Sequence, residues 1–143
     1  GEPVMAECQV LTPHPGEAGR LLGITAAAVQ ADRFAAAQSI VERYGGTVVL
    51  KGAGTVVGSG GQVPAVCTLG NPGMATAGMG DVLSGVIAGL LGQGLAPPVA
   101  AVAGVCLHGC AGDRAAAAGE RGLTARDVIT ELRAVLNTAA VGA

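Results

Sequence analysis

The sequence predicts an α/β protein, with strand, helix and strand in succession and a helical tail. Three observations carry this. Thr47-Val48-Val49-Leu50 is a continuous, largely β-branched run of the kind buried in a parallel sheet. Apolar residues recur at helical spacing on both sides of it. A glycine-rich stretch from Gly70 to Asp81, too flexible for a regular element, opens into one of those helical patterns.

Taken in order, Val10-Leu11-Thr12 ends an apolar run against Pro13-His14-Pro15-Gly16-Glu17, a strand stopped by a rigid turn. A short helix is expected over Glu17 to Leu22. A longer one runs from Thr25 or Ala26 to Tyr44, with Val29, Phe34, Ala37, Ile40 and Val41 on its apolar side. Gly45-Gly46 closes it as a C-cap. Beyond the Thr47–Leu50 run, Thr55 to Gly58 and Ala65 to Thr68 read as two short strands joined through Ser59-Gly60-Gly61-Gln62. After Asp81, the spacing of Leu83, Val86, Ile87, Leu90 and Leu91 gives a helix. Pro97-Pro98 suits the first turn of the next, which continues to about Ala118. Thr124 and Asp127, a capping-box variant, start the last, with Val128, Leu132, Val135 and Leu136 along one face. So few strands, in a chain that opens almost inside one, make residues 1–143 read as the C-terminal portion of a larger α/β domain.

Composition narrows the function. Half of the 143 residues are apolar and 13% charged, which excludes disorder. A net charge of −2, with Phe34 and Tyr44 the only aromatic residues, argues against nucleic-acid binding. The most apolar stretch, Val82 to Leu95, is glycine-interrupted and shorter than the roughly 20 residues a membrane helix needs. The first seven residues lack the basic start and apolar run of a signal peptide. Cys8, Cys67, Cys106 and Cys110 have no framework spacing, so reduced thiols in the cytoplasm are expected. Cys106 and Cys110 flank His108, but on a helix the middle residue points elsewhere, which argues against a metal cluster. With 28 Ala and 25 Gly, the core must pack backbones closely and gain little per residue from burial. Such a core is expected to be marginal alone.

Three segments could carry chemistry. A glycine-rich loop entering a helix presents free N–H groups at the positive end of the helix dipole, and Ala77, Gly78, Met79 and Gly80 could thereby hold a phosphoryl group. Asp81 repels a bound anion, so in such a cradle it makes sense as a base taking a proton from an attacking hydroxyl. An N-cap after a flexible turn explains it equally well. Walker and dinucleotide-binding patterns are absent. Lys51-Gly52-Ala53-Gly54-Thr55 follows the central strand, where open α/β sheets bind ligands and a lysine can reach phosphates. A solvent-exposed strand-ending Lys is the plain alternative. His14, between two prolines, has its backbone restricted and its imidazole presented in a fixed direction; it could equally be structural.

Together, Thr12-Pro13-His14-Pro15-Gly16-Glu17, Leu50-Lys51-Gly52-Ala53-Gly54-Thr55 and Asn71-Pro72-Gly73-Met74-Ala75-Thr76-Ala77-Gly78-Met79-Gly80-Asp81 resemble the signature segments of the ADP/ATP-dependent NAD(P)H-hydrate dehydratases. These are carbohydrate kinase-like repair enzymes of the ribokinase-like superfamily. The resemblance implies the C-terminal portion of a three-layer ribokinase-like fold, with a preceding half-domain as its partner. It implies that His14 and Asp81 contact the hydrated nicotinamide, that Lys51, Gly52, Ala53, Gly54, Thr55 and Gly80 bind the nucleotide, and that Asp81 is the base. The implied activity is an (S)-NAD(P)H-hydrate dehydratase, a hydro-lyase that phosphorylates the ring hydroxyl of hydrated NADH or NADPH and eliminates phosphate, converting ADP to AMP. ATP is the other possible co-substrate. Mg²⁺ on the nucleotide and a homo-oligomer are implied too, with Glu17 and Asp113 the nearest unassigned carboxylates. Two other readings use the same loop: a small-molecule kinase acting on a thiazole or pyrimidine alcohol, and a non-catalytic nucleotide-binding module.

Overall fold

The computed structural model describes residues 9–138; Cys8 and the other terminal residues lie outside them. Its sheet comprises β1 (Val10–Leu11), β2 (Thr47–Leu50), β3 (Thr55–Ser59) and β4 (Ala65–Cys67), in that spatial order. β2 runs parallel to β1, pairing Val10 with Thr47, but antiparallel to β3, and β3 and β4 form a hairpin. The sheet is therefore mixed rather than parallel around its central strand. What made Thr47–Leu50 read as parallel is its burial on both faces, and that burial is observed.

Strand alternation divides the core. Val48, Leu50 and Val56 point to one face, against α1 (Pro15–Leu22), α2 (Ala26–Ala31) and α3 (Arg33–Tyr44). Val49, Val57 and Cys67 point to the other, against α4 (Met79–Gly92) and α5 (Pro97–Ala115). Three layers result. Beyond them, α6 (Ala125–Thr138) packs Val128 with Met79, Ala111 and Leu123 in a third cluster. Among the described residues no helix is long and apolar enough to cross a membrane.

Several elements differ from expectation for identifiable reasons. The helix expected from Thr25 or Ala26 to Tyr44 is two helices, because Asp32 adopts an extended conformation and its carboxylate accepts the Ala35 N–H (2.9 Å). Asp caps a new helix here better than it continues an old one. The restart turns Ala36, Ala37, Ile40 and Val41 toward the sheet and leaves Phe34, expected on the apolar side, 51% exposed. Leu136 is likewise half exposed on α6. At the start of α6, the Thr124 hydroxyl donates to Asp127 (2.6 Å), which also accepts the Thr124 N–H (2.8 Å). This is only the reciprocal half of a capping box. Neither Phe34 nor Tyr44 is buried; among the described residues the largest fully buried side chains are Ile40 and Leu50.

α5 supports the site from behind through its glycines. A Cβ on Gly104 would lie 2.6 Å from Ile87 of α4, one on Gly109 would lie 2.7 Å from Leu69, and one on Gly112 would collide with Met74. Leu69 and Met74 bracket the start of the glycine-rich loop, so that loop rests directly on the α5 backbone.

Candidate active site

The site is assembled at the strand ends. Beyond β1 the chain passes through Thr12 and Pro13, and the Pro13 carbonyl accepts the Lys51 N–H (2.9 Å). This bond continues the β1–β2 pairing and stitches the His14 segment to the Lys51 segment. α1 begins at Pro15, earlier than Glu17, because His14 is its N-cap. The imidazole Nδ1 accepts the N–H groups of Gly16 (3.0 Å) and Glu17 (3.2 Å), and Glu17 Oε2 accepts the His14 N–H (2.7 Å). An accepting Nδ1 leaves the neutral ring's proton on Nε2. His14 therefore caps the helix and still presents one donor outward.

Glu17 sits between two candidate ligand-binding groups. Its Oε1 lies 3.5 Å from His14 Nε2, and its Oε2 lies 3.6 Å from Lys51 Nζ. The hydrogen bond from the His14 backbone, opposed by desolvation and aided by the Lys51 ammonium, holds the Glu17 carboxyl below its ordinary value. Lys51 Nζ in turn lies 3.1 Å from where a Cβ on Gly80 would stand. His14, Glu17, Lys51 and Gly80 are thus consecutive neighbours. The Thr12 and Ser84 hydroxyls, 3.1 Å apart, tie the same strand end to the first turns of α4.

The glycine-rich loop is more ordered than its composition suggests. Pro72–Met74 form a 3₁₀ turn capped by Asn71, whose Oδ1 accepts the Gly73 N–H (3.1 Å). The Asn71 amide donates to the Gly112 carbonyl and to Asp113 Oδ1, both at 3.0 Å. Asp113 Oδ2 accepts the Gly70 N–H (3.0 Å). Asp113 is therefore a tether between the loop and α5. A cleft of about 360 Å³ opens between Pro72, Gly73 and Thr76 on one side and Glu120 to Leu123 on the other.

α4 starts without a side-chain cap. Its N-cap is Gly78, left-handed at φ 84°, a conformation glycine adopts without steric cost. Ala77 is exposed just before it, Met79 is buried, and Gly80 is partly exposed. Asp81 is the third helical residue rather than the N-cap, which removes the capping explanation. Its side chain is exposed, and among the described residues no hydrogen bond or ion pair engages it. The arrangement offers unclaimed N–H donors at a helix start, a free carboxylate on its first turn, and a lysine beside it.

The Lys51–Thr55 turn carries Gly52 (φ 147°) and Gly54 (φ 68°), closed by the Thr55 hydroxyl donating to the Gly52 carbonyl (3.0 Å). Arg33, which the sequence reading passed over, donates from Nη2 to the carbonyls of Leu50 (3.0 Å) and Gly54 (3.2 Å). The sequence signal for it was Asp32, a helix-starting residue in mid-run. His108 is buried on α5, and burial pushes its imidazole below the ordinary value, with the Met79 backbone opposing. Among the described residues no three His, Cys, Asp or Glu side chains converge where a metal ion could be held.

The NAD(P)H-hydrate dehydratase family model matches residues 2–134. The bifunctional NAD(P)H-hydrate repair enzyme of Coxiella burnetii is 54% identical over 136 residues, which are 94% of this chain and 28% of that protein. The ADP-dependent (S)-NAD(P)H-hydrate dehydratase of Neisseria meningitidis is 56% identical over 104 residues, 73% of this chain and 35% of that one. A solved structure of the Bacillus subtilis ADP/ATP-dependent NAD(P)H-hydrate dehydratase, co-crystallized with ATP/Mg²⁺, superposes with a TM-score of 0.88 at 27% identity. It matches 96% of this chain and 51% of its own. The chain thus spans about a third or less of these two relatives and about half of the structural neighbour.

Proposed function

Since the chain belongs to the NAD(P)H-hydrate dehydratase family, we propose that it forms the C-terminal part of an ADP-dependent (S)-NAD(P)H-hydrate dehydratase domain and carries that site's base and phosphoryl-binding loop. The observation that supports this most is the uncapped start of α4, with the free Asp81 carboxylate on its first turn and Lys51 beside Gly80.

In this reading the hydroxyl of the hydrated nicotinamide ring approaches Asp81, which takes its proton as the oxygen attacks the terminal phosphoryl of ADP. The Ala77–Gly80 amides and Lys51 hold the phosphoryl oxygens while AMP departs. A poor leaving group, hydroxide, has become a good one, phosphate. Its elimination, with loss of a proton from the adjacent ring carbon, restores the double bond of NADH or NADPH. His14 presents its Nε2–H to the dinucleotide, and the Lys51–Thr55 turn receives the nucleotide. Mg²⁺ would enter with the nucleotide and neutralise charge on its phosphates. A preceding half-domain, suggested by the few strands and by the partial coverage of the relatives, and a cytoplasmic homo-oligomer belong to the same proposal.

The test is incubation of the intact protein with hydrated NADH and ADP. NADH absorbance should return with one AMP and one phosphate formed per NADH. A phosphorylated alcohol accumulating as a stable product would indicate the kinase, and ADP binding without turnover a binding module.

The double duty of His14 can be separated by substitution. His14→Asn keeps a good cap and should leave stability within a few tenths of a kcal/mol, whereas His14→Ala should lose about 1 kcal/mol. Both should raise the KM for hydrated NADH, because neither side chain places a donor where Nε2 stood. Thermal unfolding and initial rates on the two variants check this.

A further inference from the structure

Arg33 is the first residue of α3, aimed at the sheet by the break at Asp32. Leu50 is the last residue of β2 and Gly54 immediately precedes β3, so Nη2, donating to both carbonyls, bridges the two ends of the intervening turn. Nη1 is held by Gln30 Oε1 (2.9 Å). Gly52 lies against the guanidinium so closely that a Cβ would collide with Nη1. Nε is buried without a hydrogen-bond partner, and among the described residues no carboxylate pairs with this charge.

The turn between those carbonyls carries two glycines at positive φ, which leaves it with many conformations to lose when a ligand binds. We propose that Arg33 is a positioning residue for the nucleotide, bracing the Lys51–Gly54 turn at the width that presents Lys51 and the turn's backbone to phosphate oxygens. This rests on the nucleotide-binding role proposed above for that turn. The bridge needs a planar fork, because one nitrogen must reach two carbonyls while the other is fixed by Gln30. A lysine keeps the charge and loses the bridge.

The experiment is calorimetric titration of the intact protein with ADP, for wild type, Arg33→Lys and Arg33→Gln, alongside steady-state kinetics and thermal unfolding. Both variants should bind ADP about tenfold more weakly, because a prepaid ordering cost returns. Their kcat at saturating ADP and their KM for hydrated NADH should stay within twofold of wild type. Two variants are used so that a folding failure in one leaves the other readable. Wild type that binds no ADP would overturn the nucleotide role of the turn. Wild type that binds, with both variants binding equally well, would overturn the role of Arg33 alone. So would variants that lose melting temperature and all kinetic constants together, since a purely structural residue behaves that way.

Discussion

Replacing Asp81 with Asn should lower kcat for hydrated NADH by about 10²–10⁴-fold, the range a positioned general base supplies. The substitution is nearly isosteric at an exposed position on the first turn of α4, so the fold has little reason to change. ADP affinity should hold or rise, because a negative charge beside the phosphates is removed. That opposition between rate and affinity distinguishes a base from a merely structural acid, for which both would fall. Single-turnover rates and ADP titration of the same preparation read it directly. Turnover within threefold of wild type would remove Asp81 from the chemistry.

The second large effect is expected at Asn71. Its side chain donates to Gly112 and Asp113 and accepts from Gly73, joining the start of the loop to α5. Asn71→Ala removes all three bonds and should cost about 2–3 kcal/mol, at roughly 1 kcal/mol per bond. Asn71→Asp should be worse, although it keeps the acceptor for Gly73. It sets a carboxylate against Asp113 at a contact now 3.0 Å long, exchanging a donor for a like charge. In both variants the KM for ADP should rise, because the loop that presents the amides is no longer held. Denaturant unfolding and hydrogen exchange across the loop check the ranking; an aspartate more stable than the alanine would contradict it.

Local signals made much of this molecule readable. The Thr47–Leu50 run, the hairpin from Thr55 to Cys67 and the passage of the glycine-rich loop into α4 each depend on neighbours in sequence, and each is where the residues indicated. Boundaries inside alanine-rich runs were not readable, because alanine favours helix everywhere and marks no end; Asp32 breaks one such run by capping, and Phe34 is turned outward with it. His14 was legible as a fixed imidazole but not as a cap, since prolines suggested a turn where one of them is the first helical residue. The contacts that tie Arg33 to Leu50, Glu17 to Lys51 and Asp113 to Gly70 join residues that are 17 to 43 positions apart. No periodicity announces such pairs; they exist only once the layers have closed.

Two of the three α5 glycines, Gly104 and Gly109, set a limit on how this protein can change. At Gly109 an added Cβ would meet Leu69 Cβ and its main chain, and at Gly104 the Ile87 Cγ1 methylene close to the α4 backbone, so alterations there are passed on to the loop and to α4; at Gly112 the atoms met are the flexible end of Met74, which can move aside. Adaptation of the site would therefore come most readily from its rim, at exposed positions such as Ala53, Thr76 or Ala77, and least readily from Gly104 and Gly109 beneath it.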